Sequence, residues 1–212
     1  MDIVRSSELT ITRLTVGDMD NKVYLIRETD SGRVIVVDAA ADADAILEAG
    51  QDEFGNVRID RIITTHRHAD HVQALGDVAA RSAVKAYSGV NDAQAIQDAT
   101  GVPQHPLADG DLVALGNVRI TIVELVGHTP GGIALILRPK EHPPVVISGD
   151  SLFPGGVGKT HSPEDFTQLL GDVERKLFDA LPDETVVLPG HGDATTLGAE
   201  RGSLQQWRER GW

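Results

Sequence analysis

From Leu9 to Val16 the chain alternates apolar and polar side chains (LTITRLTV), the two-residue period of a strand with one buried face. KVYLIRE (22–28) and RVIVVDA (33–39) are denser in β-branched and aliphatic residues and predict two further strands, joined by the turn TDSG. DADAILEAG (42–50) predicts a short helix closed by Gly50, and IDRIITT (59–65) a compact strand. ADHVQALGDVAARS (69–82) has helical spacing, with Val72, Leu75, Val78 and Ala79 on one side. The second half repeats this grammar. VRITIVELV (118–126), IALILRP (133–139), PPVVIS (143–148) and ETVVLPGHGD (184–193) each carry a strand signal. SPEDFTQLLGDVERKLFDALP (162–182) carries the strongest helix signal, with Ser162 as N-cap, Pro163 in the first turn and Asp165 at the capping-box position. Its stripe of Phe166, Leu169, Leu170, Val173, Leu177 and Phe178 reads as core. GAERGSLQQWRERGW (198–212) predicts a C-terminal helix, on which Trp207 and Trp212 pack against the core or a partner chain. Strands interleaved with helices imply a layered α/β or α+β domain. No short-period repeat, low-complexity tract or long linker interrupts the chain, so residues 1–212 are expected to form one domain.

Composition narrows the function classes. The 19 basic and 32 acidic side chains give a formal net charge of −13, which repels polyphosphate backbones and makes nucleic acid a poor partner. Cysteine is absent, which excludes disulfides, thiolate ligands and a cysteine nucleophile. The opening MDIVRSSELTITRLTV lacks the basic and apolar regions of a signal peptide, and no segment reaches the ~20 apolar residues of a membrane helix. A cytoplasmic protein acting on a small molecule, with no membrane or nucleic-acid partner, is expected; the oligomeric state is open.

The chemistry lies where the strands stop. TTHRHADHV (64–72) places three of the chain's eight histidines and an aspartate within six residues: His66, His68, Asp70 and His71. Neutral imidazole and carboxylate are both good donors to zinc or iron, and a cation would relieve their mutual conflict. Three later strands end at His128, Asp150 and His191, each beside glycine, in VGHTPGG, ISGDSLF and LPGHGD. Five histidines and two aspartates are enough to hold two ions.

The order and context of these motifs resemble the metallo-β-lactamase-fold hydrolases over nearly the whole chain. The glyoxalase II-like (hydroxyacylglutathione hydrolase-like) members are nearest, on the strength of GHTPGG, SGDSLFPGG and GHGDATTLG. The resemblance implies an α+β fold, an αβ/βα sandwich of two mixed sheets face to face with helices outside. It also implies a first metal on His66, His68 and His128, a second on Asp70, His71 and His191, and Asp150 bridging them. Asp38 matches a position that supports a ligand histidine from behind. The implied cofactor is a pair of divalent ions, Zn2+ foremost, with Fe or Mn as alternatives. The implied reaction is cleavage of a thioester or related activated ester by a metal-bridging hydroxide, oriented by Asp70. A mononuclear iron persulfide dioxygenase and a lactonase of the same fold are the alternatives. Only some twenty residues follow His191, whereas full-length glyoxalase II enzymes carry an extra helical region there, so glutathione is not implied as the thiol.

GVGKT (156–160) lacks the first glycine of a phosphate-binding loop, since Phe153 stands in its place. Lys159 in that Gly-rich loop is a candidate contact for an anionic handle on the substrate. His105, His142 and His161 read as loop histidines, with His161 nearest the metal loops.

Overall fold

In a computed structural model that describes residues 1–211, two mixed sheets lie face to face; Trp212 falls outside the described residues. The first sheet runs in sequence order: β1 (Asp2–Arg5), β2 (Leu9–Val16), β3 (Asn21–Glu28), β4 (Val34–Val37), β5 (Ile59–Thr64), β6 (Lys85–Gly89) and β7 (Gln104–Leu107). Its first four strands pair antiparallel and the last four parallel. The second sheet comprises β8 (Leu112–Leu115), β9 (Val118–Glu124), β10 (Ile133–Leu137), β11 (Val145–Gly149), β14 (Val186–Pro189) and β15 (Thr195–Thr196), in the order β15-β14-β11-β10-β9-β8. A two-stranded hairpin, β12 (Leu152–Phe153) with β13 (Gly156–Val157), stands apart.

The alternation seen in the sequence divides side chains between two apolar layers. Ile11, Tyr24, Ile26, Ile35, Val37 and Ile63 point from the first sheet onto Ile120, Ile122, Leu135 and Ile147 of the second. Val23, Leu25, Val34, Val36 and Ile62 point outward, under α1 (Ala43–Ala49), α2 (Leu75–Ser82) and α3 (Val90–Thr100). On the far side α4 (Pro163–Val173) and the C-terminal helices cover Ala134, Ile136, Val146 and Val187. All four residues of β4 are buried because both faces of that strand are covered. The expected αβ/βα sandwich is the fold observed.

Local signals held where packing agreed with them. Ser162 accepts the Asp165 N–H at 3.1 Å and donates its hydroxyl to the Asp165 carboxylate at 2.9 Å, so α4 starts at the expected cap. Its stripe continues through a π-helical turn at Glu174–Phe178, where Leu177 and Phe178 stay buried.

Three expectations need correction. The helix expected over 69–82 begins at Leu75. Ala69–His71 form a 3-10 turn instead, because Asp70 and His71 both aim side chains into the site. The C-terminal helix is two, α5 (Leu197–Arg201) and α6 (Leu204–Arg210), parted at Gly202 and Ser203, both weak helix formers. His105 lies in strand β7, its ring 5.1 Å from Tyr87, rather than in a loop.

Trp207 is 2% exposed and packs edge-on against Phe178, centroids 6.3 Å apart, so it is a core residue. Trp207→Ala should lower the unfolding free energy by about 3–5 kcal/mol, as large-to-small core changes do. The check is a lower denaturant midpoint at an unchanged m-value.

Candidate metal centre

Four strand ends converge at one rim of the sandwich. Beyond β5 come His66, His68, Asp70 and His71; beyond β9, His128; beyond β11, Asp150; beyond β14, His191. All seven sequence-predicted donors meet there. Their ligand atoms form three overlapping groups, each within 4.8 Å: His66, His68 and His128; His66, His71 and Asp150; Asp70, His71 and His191. Asp150 lies centrally. Its Oδ2 is 3.6 Å from His191 Nε2, 3.7 Å from His128 Nε2 and 4.0 Å from His66 Nε2, and its Oδ1 is 3.5 Å from His71 Nε2.

The outward nitrogens are tied to the protein. His71 Nδ1 is 2.9 Å from Asp38 Oδ2, and His66 Nδ1 is 3.0 Å from the Thr65 hydroxyl, which itself donates to Asp38 at 2.7 Å. His128 Nδ1 meets the Lys159 carbonyl at 2.6 Å, and His191 Nδ1 the Met19 carbonyl at 3.0 Å. An acceptor behind each ring directs a proton to Nδ1 and turns Nε2 inward, the nitrogen through which a metal would be held. His66 Nε2, His128 Nε2 and Asp150 Oδ1 are buried with no hydrogen-bond partner. Buried polar atoms are seldom left so, and three orphans in one cluster are atoms that cations would satisfy. Gly190 makes the crowding possible: a Cβ there would sit 2.3 Å from Asp150 Oδ1 and 2.7 Å from His71 Cε1.

Burial and the positive charge of neighbouring histidines hold His66 well below its ordinary pKa; His68 and His128 are lowered too, again chiefly by burial. Burial also works against charge on His71, but the adjacent Asp150 and Asp38 carboxylates outweigh it and raise the group to about 10. Partial burial opposes ionisation of Asp70, yet the Asn21 amide and the nearby histidines bring its pKa below the usual value. Three neutral imidazoles and two carboxylates in contact make a donor set fit for hard or borderline dications.

Sequence reasoning missed Asn21. This residue, 2% exposed at the start of β3, donates from Nδ2 to Asp70 Oδ2 at 2.9 Å and stands 3.4 Å from His191 Nε2. An asparagine at a strand start reads as turn punctuation, so only its burial marks it. Lys159 contributes through its backbone carbonyl, while its side chain is exposed on a cleft of about 400 Å³. Phe153, Pro154 and Arg210 also line this cleft, which opens onto His128 and Asp150. His161 is exposed beside His68 and His128, and His142 lies in the turn before β11. A larger groove, about 550 Å³, between α4 and α6 holds none of the donors.

The metallo-beta-lactamase superfamily model matches residues 16–191, which contain every donor. An uncharacterized protein of Aquifex aeolicus (strain VF5) is 32% identical over 91% of this chain and 94% of its own length. The hydroxyacylglutathione hydrolase GloC of Haemophilus influenzae (strain ATCC 51907 / DSM 11121 / KW20 / Rd) is 26% identical over 82% and 87%. Among solved structures, the di-iron-bound form of TTHA1623 superposes with a TM-score of 0.69 at 30% identity, covering 90% of this chain and 96% of that one. A match across most of the chain, the shared sandwich and the strand-end donors together establish that this chain belongs to the metallo-beta-lactamase superfamily.

Proposed function

We propose that this protein is a dinuclear metal-dependent hydrolase that cleaves a small-molecule thioester or similarly activated ester. The observation that carries the reading is Asp150 lying between two donor sets, within 4.0 Å of His66 and His128 on one side and 3.6 Å of His71 and His191 on the other, with three inward atoms left unsatisfied. The likeness to a hydroxyacylglutathione hydrolase and to a protein crystallised with two irons supports the same reading. His66, His68 and His128 would hold one ion, Asp70, His71 and His191 the other, and Asp150 both. Zinc is the first expectation, with iron or manganese compatible with the same donors. Bound dications supply a water of lowered pKa and polarisation of the substrate carbonyl.

The protein's own residues do the rest. Asn21 fixes the Asp70 carboxylate, which stays ionised and accepts a hydrogen bond from the attacking water. Asp38 and Thr65 hold His71 and His66 in one orientation. No serine or cysteine nucleophile is called for. Lys159, its ammonium exposed at the mouth of the cleft, would steady an anionic portion of the substrate.

Protein purified without added metal should carry about two divalent ions per chain, and chelation should abolish thioester hydrolysis. Elemental analysis checks the first point. A single iron per chain, with oxygen uptake on a thiol persulfide, would replace the hydrolase with an oxygenase. His66→Ala and Asp150→Ala should each lose bound metal and turnover together; near-normal turnover in either variant refutes the assignment. Lys159→Met leaves the carbonyl that holds His128, so the Michaelis constant for an anionic thioester should rise about tenfold with kcat little changed. Steady-state kinetics on charged and neutral substrates separates these effects.

A further inference from the structure

A buried carboxylate outside the seven donors joins the two loops that carry His66, His68 and His128. Asp92, in the first turn of α3, has no exposure to solvent. Its Oδ2 accepts the Arg67 backbone N–H at 3.0 Å and the Thr129 hydroxyl at 2.6 Å, and its Oδ1 accepts the Gly131 N–H at 3.0 Å. The Arg67 guanidinium adds a partner, Nε lying 3.8 Å from Oδ1. Arg67 separates His66 from His68, and Thr129 follows His128, so one side chain spans both loops. The contact is close: a Cβ on Gly131 would stand 2.3 Å from the Asp92 nitrogen.

Two plainer roles fit poorly. A cap for α3 would accept N–H groups of its own helix, whereas the hydrogen bonds of Asp92 all run to other segments. Anchoring α3 to the sheet needs no charge, since an apolar side chain would do so without the desolvation cost of a buried carboxylate. That cost is met only because three donors and a guanidinium surround it. Asp38 does the corresponding work on the other side, holding His71 and Thr65.

The geometry points to Asp92 as a positioning residue that sets the spacing of His66, His68 and His128, and thereby the affinity of that set for a divalent cation. Asp38 holds His71 of the other set directly and reaches the first set through the Thr65 hydroxyl against His66. This inference rests on the metal-centre reading proposed above.

The test separates the two sets. In a His191→Ala background, zinc affinity reports His66, His68 and His128; in a His68→Ala background it reports Asp70, His71 and His191. Zn2+ is titrated calorimetrically into each metal-free protein, with and without Asp92→Asn. The substitution should weaken binding at least about tenfold in the first background, in line with other residues that orient ligands, and less than about twofold in the second. Thr129→Val, which removes only the 2.6 Å hydrogen bond, should act in the same direction more weakly, and it carries the test should Asp92→Asn fold poorly. Equal losses in both backgrounds would mean general loosening and overturn the inference, as would no loss in either. If neither background binds zinc without Asp92→Asn, the metal-centre reading itself fails, and this inference with it.

Discussion

Seven donor groups crowd into one space where they cannot all satisfy one another, and the structure around them resists their separation. An unpaired polar atom in a buried position costs about 1–3 kcal/mol. Here His66 Nε2, His128 Nε2 and Asp150 Oδ1 carry that cost together. Two apolar layers, one between the sheets and one beneath α1–α3, with a third under α4, supply the stability that absorbs it. A ligand that satisfies these atoms binds the folded state alone, so by mass action it adds to the stability of the fold.

The two-sheet architecture suits this arrangement because donors from different sheets must be held at a fixed distance. β5 delivers its donors from the first sheet, while β9, β11 and β14 deliver theirs from the second. Several hydrogen bonds lock the sheets together at this rim. The Tyr24 hydroxyl donates to the Pro189 carbonyl at 2.7 Å, the Lys22 N–H to Gly190 at 2.8 Å, and the Ile133 N–H to Thr65 at 2.8 Å. Each pins a residue next to a donor-bearing loop. Rigidity here comes from backbone and hydroxyl contacts, which leave the donor atoms themselves free.

Much of this was legible in the sequence because the responsible physics is local. Alternation marks one-sided strands such as β2, and continuous apolar runs mark covered ones such as β4. The donors stand out because each terminates an apolar run. The stretch between Ser82 and Val118 carries weak periodicity, yet it forms β6, α3, β7 and β8. Its strands are only four or five residues long, and α3 is rich in alanine, with Ile96 its one large buried aliphatic. The same weakness hides Asp92, since a carboxylate in a mild helix reads as solvated surface. Asn21 and the Lys159 carbonyl act through partners 49 and 31 residues away, and no window along the chain displays such pairs.

The segment after His191 braces one wall of the cleft. Glu200 on α5 accepts the Gly155 N–H at 2.9 Å, and Arg210 on α6 donates to the Gly155 carbonyl at 3.2 Å. One residue, Gly155, at the tip of the β12–β13 hairpin is thus gripped on both sides by the C-terminal helices, and Trp207 roots α6 in the core. That hairpin walls the cleft beside His128 and Asp150, with Lys159 and Arg210 exposed on it. In a chain of net charge −13 this cleft thus presents two cationic side chains, and small anions respond to the local field before the total. The chain's acidity and the anionic substrate proposed for it are compatible because they concern different parts of its surface.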